Sequence, residues 1–158
     1  MQLASAGVIQ IAGAGPAGLA AAITLAQAGE RVVVHEARQD VGWRFGRDLQ
    51  GLESWTSSRN VLQELNELGI VTSEFTHHPC CIGKVYDAWG EQYDIKTDTP
   101  LFYLVERGPL PGSLDHALLK RAEKLGVEVR FRSKMQSLSG AGIQATGPKS
   151  ADAIAVGY

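Results

Sequence analysis

Residues 7–36 read GVIQIAGAGPAGLAAAITLAQAGERVVVHE, and they carry the strongest indication of how the chain folds. A short apolar run at 7–12 is followed by a glycine-rich turn and then by a longer run rich in alanine and leucine. Pro16 fits the first turn of a helix because it lacks only an N–H that would be unpaired there, and Gly29 fits the position just past the end of that helix. The valines at 32–34 predict a second strand, buried on both faces. Together these features predict a β-α-β unit with parallel strands.

The turn at 13–18 (GAGPAG) has the pattern G-x-G-x-x-G between the predicted strand and helix. Gly13 permits a tight turn, Gly15 lets the backbone approach a pyrophosphate without a Cβ in the way, and Gly18 lets the helix pack close to the strand. Glu36 ends the second strand, where its carboxylate can accept hydrogen bonds from a ribose diol. The helix N-terminus would stabilise phosphate charge. This combination predicts a dinucleotide site; the alternative is a glycine-rich turn in an α/β domain that binds nothing.

The rest of the chain repeats the alternation of helix and strand with one interruption. Residues 113–131 predict a helix that ends before Gly126 and a third strand after it. Ser57 or Ser58 could cap another helix that ends at Gly69. Residues 81–105 predict three strands of an antiparallel meander inserted into this framework. A last buried strand is predicted at 151–156 (ADAIAV).

Composition excludes several classes of protein. The 158 residues carry 15 Lys and Arg against 17 Asp and Glu, a net charge of -2 without basic runs, which argues against nucleic acid as a partner. Residues 1–29 lack charged side chains, but Gln10, Gln27 and the glycines argue against a signal peptide or a membrane span. The only cysteines are the adjacent Cys80 and Cys81, which favour a reducing compartment, and we expect a cytoplasmic protein.

Three segments resemble FAD-dependent oxidoreductases of the glutathione-reductase-like fold, the group that includes aromatic-ring monooxygenases and geranylgeranyl reductases. The first is 13–22 (GAGPAGLAAA) together with Glu36. The second is Arg107 followed by 113–129, similar to that group's Arg, Asp, Leu-Leu, Ala, Gly-Val segment, and the third is 151–157, similar to the start of its second motif. The resemblance implies an FAD/NAD(P)-binding domain over 1–158. It also implies that the chain ends before the substrate-binding half found in that group.

The predicted cofactor-binding residues come from the glycine turn, the end of the second strand and two arginines. Arg44 and Arg47 lie in a loop after the second strand from which a guanidinium could reach the pyrophosphate or adenine; Arg44 is preferred. The resemblance places Arg107 near the cofactor, although a structural salt bridge is an equal alternative. The full predicted set is Gly13, Gly15, Pro16, Ala17, Gly18, Glu36, Ala37, Arg44 and Arg107.

Other polar residues give no catalytic assignment. Residues 77–81 (HHPCC) hold four side chains of types that bind zinc, but neighbouring side chains in an extended segment point to opposite faces, so we predict no metal site. No Ser-His-Asp arrangement, nucleophile elbow or carboxylate pair has supporting context. The catalytic residues stay unassigned, which is ordinary in flavin enzymes because the cofactor carries the redox chemistry.

We therefore predict an α/β protein with a Rossmann-like parallel sheet flanked by helices and a small antiparallel β-meander insertion. The predicted function is FAD binding within a flavin-dependent oxidoreductase, of reductase or monooxygenase type, with NAD(P)H as the reductant. Two alternatives stay open: an NAD-binding Rossmann dehydrogenase domain, and a non-catalytic dinucleotide-binding or assembly module. We expect the partner to be either a second copy in a homo-oligomer or the missing carboxyl-terminal half.

Overall fold

The structure is a computed structural model that describes residues 7–56, 58–137 and 140–147. Its helices are α1 (Pro16–Gln27), α2 (Val61–Glu67) and α3 (Leu114–Lys124), with a 3₁₀ turn at Thr72–Glu74. Its strands are β1 (Ile9–Ala12), β2 (Val32–His35), β3 (Leu49–Glu53), β4 (His77–Cys80), β5 (Ile82–Tyr86), β6 (Gln92–Lys96), β7 (Phe102–Glu106), β8 (Glu128–Arg130) and β9 (Gly142–Gln144).

A parallel sheet in the order β8-β2-β1-β9 forms the centre of the fold. Helix α1 packs against β1, β2 and α3, so the sheet lies against a helical layer. The interface is made of aliphatic side chains that are fully shielded from solvent, among them Ile11, Leu19, Ile23 and Val34. The predicted β-α-β unit and Rossmann-like sheet are confirmed, and the third predicted strand is β8 at the edge of the sheet.

The antiparallel part differs in topology from the predicted meander, although its strands lie close to the predicted positions. Strands β5 and β6 form a hairpin by themselves, whereas β7 pairs with β3 on one side and with β4 on the other. The reason is burial. Tyr103 and Val105 of β7 are buried, so β7 forms the central strand of its sheet and its backbone groups are paired on both sides. Most residues of the β5–β6 hairpin are exposed to solvent.

Helix α2 begins later than the predicted serine caps would place it. Its N-cap is Asn60, whose side-chain oxygen accepts a hydrogen bond from the Leu62 amide at 2.9 Å. Helix α3 is capped by Ser113, which accepts from the His116 amide at 3.2 Å. Ser57 and the predicted strand at 151–156 lie outside the described residues. In the described ranges, no helix is long and apolar enough to cross a membrane.

Candidate functional site

A cleft of about 470 Å³ opens where the parallel strands end. It is lined by the segments that follow β1, β2 and β9, joined by 42–45, Arg107 and Asp115. Strand β1 lies between β2 and β9 in the parallel sheet, so the ends of all three strands meet at one edge of the cleft. Ligands of open parallel sheets bind at such a point, outside the carboxyl ends of the strands.

The glycines of the turn have three different surroundings. Gly13 has a φ of +103°, and a Cβ there would collide with the carbonyl oxygen of Ala145. A Cβ on Gly18 would collide with the carbonyl oxygen of Gly13, because the helix lies directly against the turn. A Cβ on Gly15 would meet no atom within 4 Å and would project into open space. Backbone packing therefore requires glycine at positions 13 and 18, whereas position 15 leaves room for a ligand.

The N-terminus of α1 has the features of an anion site. Its N-cap is Gly15, Pro16 occupies the first turn, no side chain of the described residues caps the helix, and the first turn holds no acidic residue. The N–H groups at the start of this helix of 12 residues and its positive end therefore face the cleft with no acidic residue in the helix's own first turn.

Glu36 is fixed by two backbone donors. Its Oε2 accepts a hydrogen bond from the amide of Ala14 at 2.9 Å, and its Oε1 accepts from the amide of Arg38 at 2.8 Å. Each carboxylate oxygen has a second lone pair for a further donor. The side chain thus ties the end of β2 to the glycine turn and can still accept hydrogen bonds from a diol in the cleft.

Two guanidinium groups lie over the ring of Phe45. The Cζ atoms of Arg44 and Arg107 are 5.0 and 4.4 Å from the ring centroid. Arg107 is buried and makes a bidentate ion pair with Asp115, with Nε–Oδ2 at 2.7 Å and Nη2–Oδ1 at 2.9 Å. The salt bridge considered for Arg107 is thus present, and the same residue lines the cleft. Arg47 instead pairs with Glu106 at 2.9 Å and lies outside the cleft lining.

A second pocket of about 180 Å³ adjoins the cleft and shares Gly13, Glu36, Ala37 and Thr146 with it. Its other walls include 133–135 and the ring of His35. Both ring nitrogens of this histidine are hydrogen-bonded, Nδ1 to the Ser133 hydroxyl at 2.8 Å and Nε2 to the Gln10 side-chain oxygen at 2.7 Å.

The structure brings the predicted residues together. Gly13, Gly15, Pro16, Ala17, Glu36, Ala37, Arg44 and Arg107 all line the cleft, and Gly18 packs beneath Gly13. Sequence reasoning missed 145–147 and Asp115, which also line it. The available signals were weak: a run of small residues (ATG) at 145–147, and an acid two residues after a helix-capping serine.

The segment 77–81 lies away from this cleft. The ring of His77 packs edge-on between Phe75 and Tyr103, with centroid distances of 5.8 and 5.7 Å. Among the residues that the structure describes, no group of three or more His, Cys, Asp or Glu side chains is placed to hold a metal ion.

Comparison with known proteins is consistent with this geometry. The family model of the NAD(P)-binding Rossmann-like domain matches residues 11–51. No curated protein sequence matches the chain. Among solved structures, 2-methyl-3-hydroxypyridine-5-carboxylic acid oxygenase is 28% identical, with a TM-score of 0.60, over 80% of this chain and 32% of that one.

Two further solved structures share the fold. A geranylgeranyl bacteriochlorophyll reductase-like protein from Thermoplasma acidophilum is 18% identical, with a TM-score of 0.59, over 85% of this chain and 33% of that one. A probable FAD-dependent monooxygenase from Pseudomonas aeruginosa is 22% identical, with a TM-score of 0.55, over 80% and 33% of the two chains. The chain spans about a third of the length of the structures it matches. The chain thus contains a Rossmann-like dinucleotide-binding domain, and it shares its fold with the oxygenase and with the two further structures, as the resemblance seen in the sequence predicted.

Proposed function

We propose that this chain binds FAD and forms the FAD-binding part of a flavin-dependent oxidoreductase, of monooxygenase or reductase type. The observation that carries the proposal is the uncapped N-terminus of α1, which faces one cleft together with Glu36, Arg44 and Arg107. The structures it resembles include an oxygenase, a reductase-like protein and an FAD-dependent monooxygenase, which supports this class of chemistry.

The phosphates would lie against the turn at 13–17. The empty volume at Gly15 is the space that a Cβ would occupy, so the backbone there can approach a pyrophosphate closely. The N–H groups at the start of α1 donate to the phosphate oxygens, and the guanidinium of Arg44 adds a positive charge across the cleft.

The ribose and adenine would lie at the end formed by β2. The carboxylate of Glu36 is already oriented by Ala14 and Arg38, so it can accept hydrogen bonds from the 2′- and 3′-hydroxyls without reorganising. The second pocket, between Ala37 and 133–135, is the adjoining apolar-walled space for the base. A 2′-phosphate placed beside Glu36 would be repelled, so the site favours a dinucleotide without one.

FAD, when bound, supplies the redox chemistry through its isoalloxazine ring, with NAD(P)H as the proposed source of hydride. The residues described here bind and orient the adenosine diphosphate part. Arg107 and Phe45 lie on the side of the cleft toward β7 and the antiparallel sheet, and the remainder of the cofactor would extend in that direction.

An NAD-binding dehydrogenase domain is the second candidate, because the matching family model is that of an NAD(P)-binding domain and Glu36 suits an unphosphorylated ribose. One experiment separates the candidates. Purified chain is tested for flavin fluorescence released by heat, and then titrated by calorimetry with FAD and with NAD.

Released flavin, or FAD binding that exceeds NAD binding, supports the proposal. A colourless protein that binds NAD in preference to FAD supports the dehydrogenase. Binding of neither nucleotide contradicts both and leaves the non-catalytic assembly module.

A further inference from the structure

The ion pair between Arg107 and Asp115 is the most deeply buried charged contact among the described residues. Their side chains are 9% and 1% exposed, whereas every other ion pair in that part of the chain has at least one partner that is more than half exposed. Asp115 also accepts a hydrogen bond from the Gly108 amide at 3.0 Å, and Arg107 donates to the side-chain oxygen of Gln50. Each group is therefore held from several directions.

This pair supports the loop at 42–45, which forms one wall of the cleft. The guanidinium of Arg107 lies over the ring of Phe45, with its Cζ 4.4 Å from the ring centroid. Gly42, with a φ of +56°, fits so closely that a Cβ there would lie 2.8 Å from Gly108 and 2.9 Å from the Asp115 carboxyl carbon. The Phe45 amide donates to the Gly42 carbonyl at 2.8 Å and closes the loop on itself.

We propose that Asp115 and Arg107 are positioning residues for nucleotide binding, which act through Phe45 to hold Arg44 toward the phosphates. The inference rests on the proposed function. The bidentate pair with Asp115 fixes the Arg107 guanidinium, which lies over the Phe45 ring. The same ring also contacts Arg44, whose Cζ lies 5.0 Å from the ring centroid.

The arrangement is explained better by positioning than by stability. A buried ion pair contributes little to folding compared with apolar side chains of similar volume, because two charges must be desolvated. The planar fork of arginine is the feature that both bidentate pairing and stacking require, and lysine cannot reproduce it. Arg44 is an exposed loop residue. If its contact with Phe45 already restricts the side chain, less conformational entropy is lost when a nucleotide binds, and the binding affinity is higher.

The test uses ADP, which contains the pyrophosphate, ribose and adenine shared by FAD and NAD. Arg107→Lys keeps a positive charge opposite Asp115, but it removes the bidentate fork and the flat guanidinium over Phe45. Phe45→Leu removes the ring without leaving a buried charge unpaired. Arg47→Lys is the matched control, because it changes a bidentate pair with Glu106 that is two-thirds exposed on its arginine side and lies outside the cleft lining.

We expect Arg107→Lys and Phe45→Leu to weaken ADP binding about tenfold each, and Arg47→Lys to change it by less than about twofold. The decisive measurement is whether the effects of the Arg44 and Phe45 substitutions on ADP binding depend on each other. Arg44→Ala combined with Phe45→Leu should bind ADP within about twofold of the weaker single variant, because both changes remove the same interaction.

Independent effects that multiply in the Arg44→Ala and Phe45→Leu double variant would overturn the positioning role. So would an Arg107→Lys protein that unfolds at a lower temperature and yet binds ADP as tightly as the unaltered chain. If the unaltered chain binds neither ADP nor FAD, the proposed function itself fails and this inference fails with it. Binding by the unaltered chain with multiplying effects removes the positioning role alone.

Discussion

At the scale of single residues, Gly15 and Gly18 separate ligand binding from folding. A side chain at position 15 would project into the cleft, whereas one at position 18 would collide with the Gly13 carbonyl oxygen. We expect Gly15→Val to abolish dinucleotide binding with little change in melting temperature. Gly18→Val should destabilise the fold by about 2 kcal/mol or more, which lowers the melting temperature by about 4–8 °C.

Thermal unfolding and ADP titration of the two glycine variants check this assignment. Equal losses of stability in the two proteins would contradict the separate roles of Gly15 and Gly18, and so would normal ADP binding by Gly15→Val.

Glu36 provides a test of ribose recognition. In Glu36→Gln the side chain keeps only one acceptor oxygen, so it loses one of the two hydrogen bonds from the Ala14 and Arg38 amides. Its new NH₂ group then faces one of these backbone N–H donors. Since hydrogen bonds to charged groups contribute about 1.5–3 kcal/mol, we expect ADP binding to weaken at least tenfold. The unaltered chain should also prefer ADP to 2′-deoxy-ADP, and the variant should lose that preference. A variant that still discriminates between the two nucleotides would show that Glu36 does not contact the ribose.

At the scale of elements, Asn60 determines how α2 begins. Its side-chain oxygen caps the Leu62 amide at 2.9 Å, and its side-chain nitrogen donates to the Tyr103 hydroxyl of β7 at 2.6 Å. We expect Asn60→Ala to cost about 1 kcal/mol or more of stability. Asn60→Asp keeps the cap but loses the donor to Tyr103, so it should fall between the two proteins in chemical denaturation. If Asn60→Ala is as stable as the unaltered chain, the cap has no energetic role.

The β5–β6 hairpin should loosen in acid because of Asp87. The amide of Glu91 is the main cause that lowers the pKa of this carboxyl group, and the amide of Trp89 and the hydroxyl of Tyr93 add to it. A lowered pKa means that the charged form is stabilised in the folded turn. This stabilisation is complete above the ordinary aspartate pKa of about 3.9 and is lost as the pH falls through the lower folded value.

Amide chemical shifts of Trp89 and Glu91, followed from pH 6 to pH 2, measure the transition in the hairpin. They should titrate together with a midpoint below about 3.9, and the transition should be absent in Asp87→Asn. A midpoint above the ordinary aspartate pKa would contradict the stabilising role of these hydrogen bonds.

Sequence predicts best the helices and strands whose apolar pattern lies within their own residues. Helices α1 and α3 and strand β2 have long apolar runs or apolar residues at helical spacing, bounded by glycine, and all three form where expected. Strand β9 has three residues, all exposed, and its position is set by pairing with β1, so no local pattern could indicate it. The positions of β3 and β4 are likewise set by tertiary pairing, because each forms hydrogen bonds with one side of β7.

The candidate site divides in the same way. The glycine turn and Glu36 lie in one β-α-β unit, so their spacing is enough to find them. Asp115 and 145–147 reach the cleft only through tertiary contacts, since Asp115 pairs with Arg107 and the Ala145 carbonyl oxygen packs on Gly13. Sequence therefore predicts the half of the site that we propose for phosphate and ribose, while the structure is needed to find the residues that support it.

At the scale of the whole molecule, the cleft lies where the parallel and antiparallel sheets meet. One wall comes from the ends of β1, β2 and β9, and the other includes Arg107, which directly follows β7 and whose amide donates to the Asp48 carbonyl before β3. A dinucleotide bound here would have its adenosine on the parallel sheet and its other half toward the antiparallel sheet.

An NMR titration of the 158-residue chain with ADP measures whether this cleft binds the adenosine diphosphate part of a dinucleotide. We expect saturable shifts in the amides of Gly15, Ala17, Ala37 and Arg44, with a dissociation constant in the micromolar range, which corresponds to about -8 kcal/mol, and no shifts in Gly15→Val. The hairpin amides of β5 and β6 should not move. An absence of saturable shifts, or shifts that centre on the hairpin and persist in Gly15→Val, would show that the cleft does not bind ADP.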